Sequence, residues 1–173
     1  SKINLPNVSM VCISSIKIPE CIQALYISQI HFSFKEIILF TSDVVTDEYI
    51  KILPDLKIKN IPIINNTNDY SRFVMSELVD HVSSDYCLII QDDGFILNEN
   101  NWNPAFLDHD YIGAPWPATL NLANTDKSFE QDIAMKQNRV GNGGFSIRSR
   151  KLMETSALID TNNLNLPTIS EDL

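Results

Sequence analysis

No stretch of the 173-residue sequence approaches 18 consecutive apolar residues, so none reads as a transmembrane helix. Basic charge is scarce: 13 Lys and Arg stand against 22 Asp and Glu, for a net charge of −9. Because affinity for nucleic acid comes mostly from Lys and Arg neutralising phosphates, no nucleic-acid partner is expected, although a small phosphorylated ligand in a local pocket remains compatible. Cysteine is limited to Cys12, Cys21 and Cys87. This odd number at no metal-like spacing predicts reduced, structural thiols. His31, His81 and His109 lack the HExxH spacing, which argues against zinc, and the last two read as surface residues. Missing as well are a G-x-S-x-G elbow, a Walker loop, a GxGxxG fingerprint and any internal repeat. The first residues show no signal-peptide pattern, so the expected location is cytoplasmic and the sequons at Asn7 and Asn65 are read as chance.

What is present is enough apolar sequence, 44% against 20% charged, to build the core of one domain. Val8–Ser14 reads as a buried strand, Glu20–Ile30 as a helix after Pro19, and Glu36–Thr41 as a second strand. That order is a βαβ unit with parallel strands. Asp47–Leu53 is expected to be a short helix and Ile58–Ile64 a strand made irregular by Pro62. Tyr70, Phe73, Val74, Glu77 and Leu78 recur at helical spacing, predicting one amphipathic helix over Asp69–Val82. Cys87–Ile90 is a fully apolar strand, Trp102–Leu107 a loop with a short turn, and Tyr111–Ala114 another strand. Asn121–Asn138 is polar and patternless, expected as a loop of the length kept for function. Gly141–Ile147 reads as a tight turn entering a strand, and Arg148–Leu158 as a helix. Ser170 looks like the N-cap of a further helix. The whole is expected to be a single α/β domain over residues 1–173, truncated at its C-terminal end.

Chemistry points first to Gln91-Asp92-Asp93-Gly94, which follows the most apolar strand directly. Ligands of open α/β sheets bind beyond the carboxyl ends of strands. Asp oxygens there suit a hard divalent cation that also keeps waters and substrate phosphates as ligands. A plain Asp-Asp-Gly turn between strands is the competing reading. Gly141, Gly143 and Gly144 around Asn142 let backbone approach a ligand closely, or simply form a tight turn. Trp116, held between Pro115 and Pro117, is either a platform for a sugar ring or a core residue. Glu171 and Asp172 are either a general base or ordinary charge in the first turn of a helix. Arg72 and Arg139 are candidate diphosphate contacts, or surface charges.

In combination, Asp69–Val74, Leu88–Gly94, Trp102 with Phe106-Leu107, Asp110–Trp116 (including YIGAPW) and Val140–Arg150 (including VGNGGFS) resemble a small GT-A-type glycosyltransferase. More closely they resemble an uncharacterised glycosyltransferase-like family of bacteria and large viruses. The resemblance implies a Rossmann-like, mostly parallel sheet flanked by helices. It also implies transfer of a sugar from a nucleoside diphosphate, UDP favoured, to a hydroxyl of a glycan or other acceptor, with inversion expected. Asp93 corresponds to the last acid of the DxD signature and is the expected ligand of Mn²⁺ or Mg²⁺. Gln91 replaces the first acid. Asp92, Asp93, Arg72 and Ser14 are expected on the donor side, Trp116, Asn142, Gly143 and Gly144 on the sugar and acceptor side, and Glu171 or Asp172 as catalytic base. Two other readings stay open: a non-catalytic nucleotide- or glycan-binding module of the same fold, and a nucleotidyltransferase. The latter is disfavoured because Ser14-Ser15-Ile16-Lys17 stands where a Gly-rich basic loop belongs.

Overall fold

The computed structural model describes residues 2–115 and 142–159. Its elements are β1 (Ile3–Ile13), α1 (Ile18–His31), β2 (Phe32–Thr41), α2 (Asp47–Ile52), β3 (Leu56–Asn60), α3 (Thr67–Arg72), β4 (Tyr86–Ile90), β5 (Tyr111–Ala114), β6 (Asn142–Ser149) and α4 (Arg150–Ala157). The six strands form one sheet in the order β3-β2-β1-β4-β6-β5. β1 pairs in parallel with β2 and β4, and β2 with β3. β6 runs antiparallel to both β4 and β5. This is the α/β, GT-A-type arrangement, a mostly parallel sheet flanked by helices.

Alternation along the central strands builds two cores. Met10, Cys12, Leu39, Leu88 and Ile90 face α1, meeting Cys21, Ile22, Ala24 and Leu25. Val11, Ile13, Ile38, Phe40 and Ile89 face the other side, meeting Tyr70, Phe73, Val74, Leu78 and Met153. A strand covered on both faces needs no polar positions, so its sequence reads as a continuous apolar run.

Several boundaries differ from expectation, each for a local reason. β1 starts at Ile3, five residues early, because the segment around Pro6 still pairs with β2 across a register shift. β3 lies at Leu56–Asn60 rather than Ile58–Ile64: it is an edge strand whose Lys57 and Lys59 dilute its apolar signal, and Pro62 lacks a ladder donor. The single helix expected over Asp69–Val82 is three pieces. α3 passes into a π-helical turn, Phe73–Glu77, and then a 3₁₀ turn, Leu78–His81. The wider turn accommodates an extra residue, so Leu78 and Val79 are both buried. His81 is not a plain surface residue, since its ring stacks on Phe73 and meets Phe40 edge-on. The short turn expected within Trp102–Leu107 is present as a 3₁₀ turn over Pro104–Asp108, one residue longer at its end. β6 continues to Ser149, so α4 begins at Arg150, where the Ser149 hydroxyl accepts from the Leu152 amide at 3.0 Å.

Candidate functional site

Strand order reverses at β1. The chain builds outward through β2 and β3 on one side, then returns to place β4 on the other. The loop after β1 and the turn after β4 therefore stand side by side at the carboxyl ends of neighbouring parallel strands, where open α/β sheets leave a crevice. That crevice is a cleft of about 500 Å³. Its walls are Cys12–Lys17 after β1, Ile64–Thr67 and Tyr70 at the start of α3, and Gln91-Asp92 after β4.

The acidic motif is a tight turn. Gln91 N–H donates to the Gly94 carbonyl at 2.9 Å, and Gly94 N–H donates back to the Gln91 carbonyl at 3.3 Å. Asp92 and Asp93 are thus forced to the apex. Asp92 leans into the cleft and takes a 2.8 Å ion pair from the Lys17 ammonium. Asp93 is exposed beside it and forms no ion pair among the described residues. Gly94 is closely packed: a Cβ there would lie 3.3 Å from Phe145 Cβ, which would have to give by a few tenths of an ångström, and 3.6 Å from the Gly144 carbonyl oxygen. The turn consequently rests directly on the Gly-rich segment of β6, so two motifs far apart in sequence are in contact.

Lys17 reaches Asp92 from a left-handed backbone, φ 53°, immediately before α1. The hydrogen bond that Lys17 donates to Asp92, with the charges of Asp92 and Asp93, raises the Lys17 pKa and keeps the ammonium charged. Ser14 is engaged locally, its hydroxyl donating to the Ile16 carbonyl at 2.6 Å. Ser15 Oγ accepts from Ile64 N–H at 2.8 Å and Ser42 Oγ at 3.0 Å, tying the β1 loop to the wall after β3. Asn66 caps α3, its side chain accepting from Asp69 N–H at 2.9 Å. The cleft floor holds Cys12 and Cys21; their mutual hydrogen bond, together with burial, pushes the Cys12 thiol up. Cys87 is fully enclosed, and burial pushes it up to about 12. All three cysteines are buried free thiols.

Of the expected donor-side residues, the structure brings Ser14 and Asp92 to the cleft lining, while Asp93, the expected metal ligand, is exposed next to Asp92 and is not part of that lining. Arg72 is exposed and does not line the cleft. Gly143 and Gly144 are buried and do not line the cleft; Gly144 lies against Gly94 of the acidic turn, and the Gly143 carbonyl accepts from Ser146 Oγ at 2.9 Å. Of Asn142 only the backbone, as the first residue of β6, is described. Trp116, Arg139, Glu171 and Asp172 lie outside the described residues. Sequence reasoning missed Lys17, Ser15 and the Asn65–Thr67 wall. The signal for Lys17 was its place directly after the carboxyl end of the first strand.

Among the described residues no cluster of three His, Cys, Asp or Glu could cage a metal. A divalent ion of the Mg²⁺ type needs only one or two carboxylates when waters and substrate phosphates complete its shell. The pair at 92–93 fits that requirement, and the Lys17 ammonium shows that the position beside Asp92 accepts positive charge. Among the described residues no helix is long and apolar enough to cross a membrane.

A sheet with this switch-point crevice, acidic turn and supporting antiparallel strand has the fold of GT-A glycosyltransferases, and solved structures share it. Glucosyl-3-phosphoglycerate synthase from Mycobacterium tuberculosis, in complex with phosphoglyceric acid, is 11% identical over 84% of this chain and 57% of its own, with a TM-score of 0.51. The same synthase with Mn²⁺, UDP and glucosyl-3-phosphoglycerate is 12% identical over 84% and 57%, at 0.51. S. aureus TarS 1-349 is 15% identical over 86% and 48%, at 0.51. This chain therefore spans about half the length of the solved structures it resembles. No curated protein matches it. Residues 55–171 match the family described as "Protein of unknown function (DUF5672)", and the chain belongs to that family.

Proposed function

We propose that the chain carries the donor site of a glycosyltransferase that moves a sugar from a nucleoside diphosphate, UDP favoured, to a hydroxyl of a glycan or other acceptor. Transfer is assisted by Mn²⁺ or Mg²⁺ and inverts the transferred carbon. The supporting observation is the convergence of Ser14, after β1, and Asp92, after β4, on one cleft, with exposed Asp93 next to Asp92 and Gly144 against the same turn. The Mn²⁺ and UDP complex of the M. tuberculosis synthase supports the choice of ligands.

In this reading Asp93, with Asp92, holds the cation, whose chemistry is to offset charge that develops on the leaving diphosphate. Trp116, Asn142, Gly143 and Gly144 line the sugar and acceptor side. Glu171 or Asp172 removes the acceptor hydroxyl proton, which a poor nucleophile needs in a single in-line displacement. Gln91 in place of the first DxD acid favours a second reading, a binding module that holds the donor without turnover.

A thermal-shift screen of nucleotide sugars with and without Mn²⁺ tests the donor site, because a ligand of the folded state raises the melting temperature with its saturation. Release of nucleoside diphosphate from the stabilising sugar nucleotide, and its loss in Asp93→Ala, separates the enzyme from the binding module. Absence of any stabilising nucleotide refutes both.

A further inference from the structure

Lys17 is the one cation among the described residues that line the cleft. Its Nζ lies 2.8 Å from Asp92 Oδ2, and 58% of its side chain is exposed. Asp93 and Glu20 add negative charge around the same ammonium. Asp92 in the lining, with Asp93 and Glu20 close enough to act on Lys17, repels a diphosphate unless cations intervene, and the Lys17–Asp92 pair is neutral as it stands. A divalent ion taking Asp92 changes that balance: it leaves the ammonium unpaired at the lip of the cleft where the anionic ligand enters. An exposed ion pair is weak enough to be exchanged readily. Lysine also carries a compact charge on a flexible four-carbon stem, able to change partner without backbone movement.

We propose that Lys17 is an internal counter-ion of the donor site, occupying the cation position at Asp92 in the empty cleft and passing to the diphosphate when a divalent ion replaces it. The proposal rests on the donor-site reading above. It makes metal and nucleotide binding interdependent: the metal alone has to displace Lys17, whereas metal and diphosphate together give Lys17 a new partner. No covalent step is involved, only an exchange of ion pairs.

Calorimetric titration of the 173-residue chain with Mn²⁺ alone, and with UDP at saturating Mn²⁺, tests it. Lys17→Met keeps the length of the side chain and removes its charge; thermal melting checks that the variant is folded. Losing a charge-assisted contact is expected to weaken UDP binding by about tenfold, while Mn²⁺ alone binds roughly two- to fivefold more tightly. Lys17→Arg is expected to retain most of the UDP affinity. Asp92→Asn, which frees Lys17 without removing it, is expected to bind UDP more tightly than wild type when no metal is present. Unchanged Mn²⁺ affinity in Lys17→Met overturns the counter-ion role, whatever UDP does. Tighter Mn²⁺ binding with unaltered UDP affinity overturns the transfer to the diphosphate. A wild-type chain that takes up no UDP refutes the underlying donor site and the transfer together, and the Mn²⁺ comparison then decides the counter-ion role by itself.

Discussion

Glu36 is the buried acid that ties the parallel strands to one another, and replacing it by Gln gives a quantitative test of the sheet. Only 8% of the residue is exposed. Its Oε1 accepts from Ser9 Oγ at 2.8 Å, Ser83 N–H at 2.9 Å and Ser83 Oγ at 3.0 Å, while Oε2 takes Lys57 Nζ at 2.8 Å. One carboxylate thereby joins β1, β2, β3 and the approach to β4. Burial pushes its pKa up, but the bonds from Lys57, the Ser83 amide and the two hydroxyls outweigh that and bring it from 4.5 to about 2. At about 1.4 kcal/mol per unit the difference is about 3 kcal/mol, reduced toward about 2 because Lys57 is half-exposed and solvent screens its share.

The sign follows from the depressed value. Stability from Glu36 is fully present above the unfolded pKa and is lost as pH falls from about 4.5 to about 2. Urea unfolding of wild type and Glu36→Gln is therefore expected to differ by about 2–3 kcal/mol near neutral pH, with the gap closing as the wild type is acidified through that window. A gap that stays constant down to about pH 2 refutes the reasoning, because it shows a packing loss with no ionisation in it.

Three further outcomes are expected. Gly94→Val, which sets a branched side chain where a single Cβ already lies 3.3 Å from Phe145 Cβ, costs about 1–3 kcal/mol in denaturant unfolding and abolishes nucleotide-dependent stabilisation. Ser149→Ala removes the cap of α4 and costs about 1 kcal/mol, measured the same way. Asp93→Ala leaves the melting temperature of the ligand-free chain within about 1–2 °C of wild type, since the side chain is exposed, yet removes the Mn²⁺-dependent part of any UDP stabilisation.

How much of this was legible in the sequence depended on how locally each feature is encoded. β1, β2 and β4 announced themselves because burial on both faces turns them into continuous apolar runs. The parallel order followed from helices between them, and the crevice followed from that order. β3 was misplaced because an edge strand can carry Lys57 and Lys59, whereas the apolar Ile61–Ile64 that follows forms no strand. The break after α3 was invisible because apolar spacing persists through Phe73, Val74 and Leu78, and only the backbone reveals the extra residue. At the site, the acidic turn could be located from Cys87–Ile90 alone. Which of two adjacent carboxylates enters the cleft depends on turn geometry, and the structure selects Asp92. The Lys17–Asp92 pair joins residues 75 positions apart, so only the assembled sheet brings them together.

The central claim is that a nucleoside diphosphate occupies the crevice between the carboxyl ends of β1 and β4. Amide chemical-shift mapping during titration with UDP and Mg²⁺ tests it most directly. The account predicts saturable shifts concentrated in Ser14–Lys17, Asn65–Thr67 and Gln91–Gly94, the segments that form the cleft and its rim. Saturable binding whose shifts fall elsewhere, or no binding at all, contradicts it.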